Sequence, residues 1–166
     1  HYLRLSPYSH KSRIALEELY QDLAFHARFN GILFHDDGLM TDYEGHIAKG
    51  ERSEAQYRRE AAQKSKDLIE HTERLKQAAL KYSYNGQEQM KTARNLYAGV
   101  IMDDNKQKWF SQSLPEFARA YDYTAIMAMP YMEHEQAITA QTAKLWLRDL
   151  LVKANVAQNN DKLVFE

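Results

Sequence analysis

Short apolar segments, each too brief for a helix, alternate along this chain with longer stretches of helical period, and that alternation limits the folds open to it. Tyr2 to Ser6 (YLRLS) alternates apolar and polar residues before Pro7, as a short strand running into a turn does. Gly31 to His35 is apolar on both faces, as buried parallel strands are. Thr92 to Ala98 (TARNLYA) and Thr124 to Met129 (TAIMAM) read as further strands, and Leu163 to Glu166 as the start of another. Helical patterns lie between them. Lys11 to Arg28 carries Leu16, Leu19, Tyr20, Leu23 and Ala27 at helical spacing, and Asn30-Gly31 stops it. In the next stretch Ala61, Leu68, Leu75 and Tyr82 recur at heptad spacing, with Ser65, Thr72 and Ala79 between them. So thin a stripe predicts a well-solvated helix, a polar helical insertion over about 45–88 closed by Tyr84-Asn85-Gly86. Two more helices are expected over Gln107 to Ala120, with Trp109, Phe110 and Phe117, and over His134 to Ala154, with Ile138, Leu145, Trp146 and Leu150 on one side.

Strands that alternate with helices pair in parallel through helical crossovers. Two architectures answer to that order: an open doubly wound sheet, or part of a (β/α) barrel. A complete barrel takes about 250 residues and eight strands. The chain has 166 residues and about five strands, so it reads as α/β, part of a TIM-like barrel, residues 1–166 forming a single incomplete barrel domain. Missing neighbours predict exposed sheet edges and apolar helix faces.

Composition narrows the partners. Lys plus Arg is 22 against Asp plus Glu at 23, so no global field directs the chain to nucleic acid or an anionic membrane. With no cysteine, disulfides and thiolate metal sites are excluded and the redox compartment is left open. No apolar run approaches the roughly 20 residues of a membrane span, and the opening HYLRLSPYSH lacks the apolar core of an export signal. Any such signal of the parent protein is expected outside this segment.

In parallel α/β architectures the working residues gather at the carboxyl ends of the strands. The expected strand ends here carry Arg4, Ser6 and Pro7; His35, Asp36 and Asp37; Arg94, Asn95 and Tyr97; and Met129, Tyr131 and Glu133. Asp36, Arg94 and Glu133 are expected to converge. The densest of these is FNGILFHDDGLMTDYEGH, residues 29 to 46, where an apolar run leads straight into His35-Asp36-Asp37 and Asp42 follows on the loop. Carboxylates so close repel one another, so a cation, a mobile proton or a cationic ligand is the natural reason for them. Calcium fits poorly, because no register of Asp36 to His46 supplies an EF-hand's oxygens and central glycine. Metal-dependent deacetylation also asks for paired histidines on one helical turn, and His10, His35, His46 and His71 have no partner four residues on. Glycoside hydrolysis needs a carboxylic acid to protonate the leaving oxygen and a second group to stabilise the oxocarbenium-like centre. Neighbouring strand residues face opposite ways, so one of Asp36 and Asp37 points into a barrel mouth and Asp42 returns as the second carboxylate. No metal or cofactor is expected. Trp109, Trp146, Met127 and Met129 read as core rather than site.

FNGILFHDDGLMTDYE, KTARNLYA, YDYTAIMAMPYME and KLVFE together resemble, in order and over most of the chain, the C-terminal domain of the poly-β-1,6-N-acetylglucosamine N-deacetylase family (PgaB/HmsF) of Gram-negative biofilm systems. The resemblance implies a periplasmic or outer-membrane-associated protein. It also implies an N-terminal deacetylase not contained in this segment, and a (β/α) barrel that binds partly deacetylated polymer and cleaves it internally. Export machinery is the further partner it adds. Carried over by residue, the family's acids fall on Asp36, Asp37 and Asp42, and its arginine and asparagine on Arg94 and Asn95. Tyr123 stands where the family pattern has tryptophan, and Asp103-Asp104 where it has glutamate. Asp42, Asp36 and Asp37 are thus the expected catalytic set. His35, Arg94, Asn95, Tyr97, Tyr123, Tyr131, Glu133 and Arg4 are the expected substrate contacts. Such a groove would select the ammonium groups of glucosamine while tyrosine faces stack on the sugar rings. A non-catalytic domain guiding the polymer during export would use the same groove.

Overall fold

A computed structural model describes residues 5–35, 53–82, 90–134, 136–157 and 160–166. Among them four strands form one sheet: β1 (Gly31–Phe34), β2 (Lys91–Tyr97), β3 (Tyr123–Met127) and β4 (Leu163–Phe165), ordered β1-β2-β3-β4 with every pairing parallel. A doubly wound sheet reverses its strand order at a switch point. This one does not, and each strand lies beside its successor, which is how a barrel is wound. The segment expected as a first strand, Tyr2 to Ser6, lies mostly outside the described residues.

Alternation along the strands separates two faces. Phe34, Leu96 and Ile126 belong to one buried cluster with Leu68, Leu75, Phe117, Leu150 and Ala154 from the helices, and Leu163 packs against it. Fully burying each large side chain of this kind is worth about 1.5–3 kcal/mol, so the helix-facing row dominates the stability of the sheet. The opposite face carries Leu33, Asn95, Ala125 and Val164, in register across the strands from Asn95 to Ala125 to Val164. Leu33 and Val164 are exposed there, as are Leu145, Leu151 and Val152 on the last helix, in keeping with the expected open faces.

Helix α1 (His10–His26) starts where the Ser9 side chain accepts from the Ser12 N–H. Its inward stripe is Leu16 and Tyr20, partly buried, and Ala24, buried; Leu19 and Leu23, expected on that stripe, are exposed. Four-residue steps hold one helical face more closely than the mixed spacing read from sequence. Helix α2 (Glu54–Tyr82) is the crossover between β1 and β2 and is not merely solvated, because Leu68, Thr72, Leu75 and Ala79 are all buried. Heptad spacing therefore marked the right face, and small residues such as Thr72 and Ala79 let the helix sit close. Thr72 Oγ1 shares a 2.6 Å hydrogen bond with the Tyr121 hydroxyl, while the Tyr121 ring packs edge-on against Phe117 at 5.5 Å.

The single helix expected over Gln107 to Ala120 is instead two, α4 (Asp104–Phe110) and α5 (Leu114–Ala120), and a further short helix, α3 (Ala98–Met102), precedes them directly after β2. Asp103 is extended and its side chain accepts from Asn105 N–H at 2.9 Å, restarting the chain as α4. Ser111 then takes a left-handed conformation with φ 51°. Pro115 lacks an N–H and clashes inside a helix, and α5 places it in the opening turn, where neither matters. For the same reason Pro130 opens a short α6 (Pro130–Glu133), and α7 (Ala140–Ala157) begins later than expected, where Thr139 Oγ1 accepts from Thr142 N–H.

At the amino end of the sheet Asp122 clips β2 to β3, accepting from Lys91 Nζ and from Thr92 N–H, both at 2.9 Å. Burial works against the Asp122 charge, but the Lys91 hydrogen bond, the Thr92 N–H and the Lys91 charge outweigh it, and the carboxyl titrates below its ordinary 3.8. The hydrogen bond that Lys91 donates to Asp122 likewise raises Lys91 above 10.5. A depressed carboxyl contributes stability that is present above its unfolded value and lost as pH falls through the folded one. The raised lysine contributes below its unfolded value and loses the contribution as pH rises through the folded one. Asp122→Asn should therefore lower the thermal midpoint near neutrality, with the gap to wild type closing below pH 3.8, as thermal unfolding across a pH series would record.

Candidate functional site at the strand ends

The carboxyl ends of β1 to β4 lie side by side, and the polar residues that follow each strand are brought there by the parallel pairing alone. Phe34 is level with Arg94, so one further step along the register sets His35 level with Asn95. Beyond β4, Glu166 is fastened to the end of β3 by two backbone hydrogen bonds, Glu166 N to Ile126 O at 3.0 Å and Ala128 N to Glu166 O at 2.7 Å. That anchoring directs the Glu166 side chain to Asn95, whose Nδ2 donates to Glu166 Oε1 at 2.7 Å.

Asn95 is the central polar group of this face. It is 1% exposed, and with Nδ2 committed to a carboxylate, which only accepts, its orientation is determined. The other end, Oδ1, is a buried acceptor with no hydrogen-bond donor among the described residues. Buried acceptors are nearly always satisfied, so an acceptor left open beside a carboxylate is an arrangement that a hydroxyl or ammonium donor completes.

Other expected contacts lie further out or elsewhere. Glu133, at the end of α6, accepts from Lys106 Nζ at 2.9 Å, so its charge is offset from α4. The lysine reaches it across Gly99, where a Cβ would stand 2.5 Å from Lys106 Cδ and 3.2 Å from Glu133 Oε2. Tyr131 is 61% exposed on the same short helix. Tyr97 stacks on Phe110 with ring centroids 4.5 Å apart and 17° between planes, placing its ring against α4. Tyr123 opens β3 and is level with Ala93, so it lies on the same face as Asn95 and two residues towards the amino end of the sheet.

Arg94 is 1% exposed, and alternation turns it to the face opposite Asn95. Its surroundings confirm the side. Burial raises the Tyr20 and Tyr121 hydroxyls and lowers the His71 imidazole, and the Arg94 charge acts on all three. These groups come from α1, from the turn before β3 and from α2, so Arg94 sits beneath the helices and does not join Glu133 at the strand ends. Asp36, Asp37, Asp42 and Arg4 lie outside the described residues.

The residue that sequence reasoning passed over is Glu166. Its signal was present, because an acid directly after the apolar run Leu163-Val164-Phe165 repeats the pattern of a polar residue after GILF. Lys106 carried no such signal, since only the fold brings it to Glu133. Asn95 and Glu166 can accept hydrogen bonds from a hydroxylated or cationic ligand, and Glu166 adds a carboxylate to this face.

A family described as "Hypothetical glycosyl hydrolase family 13" matches residues 1–166. Proteins called poly-beta-1,6-N-acetyl-D-glucosamine N-deacetylase from two Escherichia coli strains are each 36% identical over 182 aligned residues, covering 99% of this chain and 26% of theirs. The solved PgaB (BpsB) glycoside hydrolase domain from Bordetella bronchiseptica superposes with a TM-score of 0.87 at 31% identity, over 98% of this chain and 48% of that one. The chain thus spans about a quarter of the length of these curated relatives and just under half of the solved domain.

The Asn95–Glu166 pair carries its own test. Asn95→Asp replaces a donor with a second carboxylate, which raises the pKa of the new pair by like-charge repulsion. A raised carboxyl makes the folded state bind more protons, so the loss is largest at neutral pH and recovers as pH falls through the carboxylate range. A cost of about 1–3 kcal/mol at pH 7, shrinking by pH 4, is expected in denaturant titrations.

Proposed function

The chain belongs to hypothetical glycosyl hydrolase family 13, and we propose that it is the carbohydrate-cleaving part of a protein that processes partly deacetylated poly-β-1,6-N-acetylglucosamine. In this reading the polymer lies across the strand ends and is cut internally. The observation that carries the reading is the Asn95–Glu166 pair, a buried open acceptor beside a carboxylate at the carboxyl end of a parallel barrel-type sheet. It stands next in space to the end of β1, from which His35-Asp36-Asp37 and Asp42 follow in sequence. The likeness to relatives named for this polymer supports the choice of substrate.

The chemistry asks for little beyond carboxylates. Asp42 is assigned as general acid, its proton retained at neutral pH by repulsion from Asp36 and Asp37, and passed to the glycosidic oxygen as the bond breaks. One of Asp36 and Asp37 stabilises the positive charge that develops at the anomeric carbon, and the other holds a glucosamine ammonium. Asn95 and Glu166 orient the sugar through its hydroxyl or amino groups, with His35 level with them. Tyr131, exposed at the rim, offers a ring face to the next unit, and Glu133 with Lys106 borders that side. A periplasmic or outer-membrane-associated setting with an export partner goes with this substrate. Among the described residues no helix is long and apolar enough to cross a membrane.

Two measurements test the assignment. Asp42→Asn keeps shape and hydrogen bonding but has no proton to give, and should slow release of short oligosaccharides by about 10²–10⁴-fold, measured by mass spectrometry, with oligosaccharide affinity within a few fold. Near wild-type turnover would remove Asp42 from the role, and no turnover by the wild type would favour a domain that only guides polymer. Selection by charge predicts that fully acetylated polymer binds more weakly than partly deacetylated polymer, and that added salt narrows the difference. Equal, salt-independent binding of the two would remove the ammonium-binding role.

A further inference from the structure

On the helix side of the sheet, α2, α4 and α5 border a cleft of about 240 Å3. Its walls include Arg58, Ala62 and Ser65 of α2, Gln107 of α4, and Gln112 and Glu116 around the start of α5, with the Arg58 charge offset by Glu54 at 2.9 Å. Most of these are hydrogen-bonding groups. Ser65 Oγ donates to Glu116 Oε2 at 2.6 Å, which steadies the carboxylate and leaves its second oxygen for another donor.

Gln112 is the informative residue. It is 2% exposed, and its Oε1 accepts from the Tyr97 N–H at 3.1 Å. A backbone N–H only donates, so the carboxamide cannot be turned around, and Gln112 is among the residues that line the cleft. Its Nε2 is buried and has no acceptor among the described residues. Its neighbour Ser111, held at φ 51°, has a second buried oxygen without a partner. Two adjacent orphaned polar atoms at a strained turn, beside a polar cleft, form an arrangement that a polar ligand completes.

We propose that this cleft is an accessory sugar subsite that takes one hexosamine unit. A hydroxyl or acetamido carbonyl accepts from Gln112 Nε2, and a hydroxyl or ammonium donates to Glu116. The size suits one pyranose with its substituents, being smaller than the roughly 300 Å3 at which drug-sized sites begin. The choice of an amino sugar rests on the function proposed above; the cleft itself does not. Because Gln112 holds the backbone of Tyr97, the subsite stands directly behind the carboxyl end of β2. A polymer held at both places gains effective concentration at the strand ends, raising the residence of long chains without any new contact at the reacting bond.

The test is a titration of the isotopically labelled protein with N-acetylglucosamine and, separately, with glucosamine, followed by NMR. The Gln112 side-chain amide reports the cleft and the Asn95 amide reports the strand ends. A saturable shift at Gln112 is expected. Ala62→Trp, at an exposed position on the rim, should weaken that response by about tenfold or more and leave the Asn95 response unchanged. Glu116→Gln, which still accepts from Ser65, should weaken glucosamine more than N-acetylglucosamine. No saturable change at Gln112 with either sugar, or a change unaffected by both variants, would overturn the subsite and leave a cleft filled by water. A response at Asn95 alone would also overturn it while sparing the proposed function. A response at Gln112 alone would uphold the subsite and count against the strand-end reading.

Discussion

The packed row of Phe34, Leu96 and Ile126 against Leu68, Phe117 and Leu150 is the interaction on which the rest of the structure depends. It fixes which face of each strand meets the helices, and in a strand with a side-chain period of two that choice also fixes the other face. A slip by one residue would turn Asn95 under the helices and bring Arg94 out. The hydrophobic contacts that stabilise the sheet therefore also decide which polar groups a ligand meets.

The same layer explains why polar residues inside it are tolerated. Thr72 sits at a buried position of α2, yet its hydroxyl is satisfied by the Tyr121 hydroxyl and by backbone carbonyls of its own helix. Arg94 is fully buried on that face, with tyrosines and a histidine within range of its charge. By contrast, Asn95 faces the opposite side with one end committed and one end open. Structural and candidate functional polarity are thus separated by one residue along a single strand.

The two ends of the sheet divide labour in a similar way. At the amino end, Lys91, Thr92 and Asp122 close on one another. At the carboxyl end Glu166 is set by backbone hydrogen bonds to β3, and its side chain crosses β3 to reach Asn95 on β2. Helix dipoles and loop chemistry are not needed to explain that asymmetry. Parallel strands place all their exits on one side, and whatever follows them in sequence is gathered there.

Strand existence, parallel pairing and the barrel-type class were legible in the sequence, because apolar runs of strand length between helical stretches admit few other arrangements. So was the concentration of polar residues after each run. Helix limits around Ser111, Pro115 and Pro130 were less so, since a hydrophobic period continues across breaks that only backbone geometry makes visible. Arg94 and Asn95 are neighbours in one motif, and nothing in their order says which faces the helices; packing of Leu96 settled that. Tyr123 and Tyr97 both looked like stacking platforms; one shares the face of Asn95 two residues towards the amino end, and the other rests on Phe110. The pairs Asn95–Glu166 and Lys106–Glu133 join residues far apart in the chain, and the open ends of Asn95 and Gln112 exist only once their partners are assigned. Local order specifies periodicity and therefore elements, whereas faces, ends and hydrogen-bond partners are set by contacts between elements, which no local pattern contains.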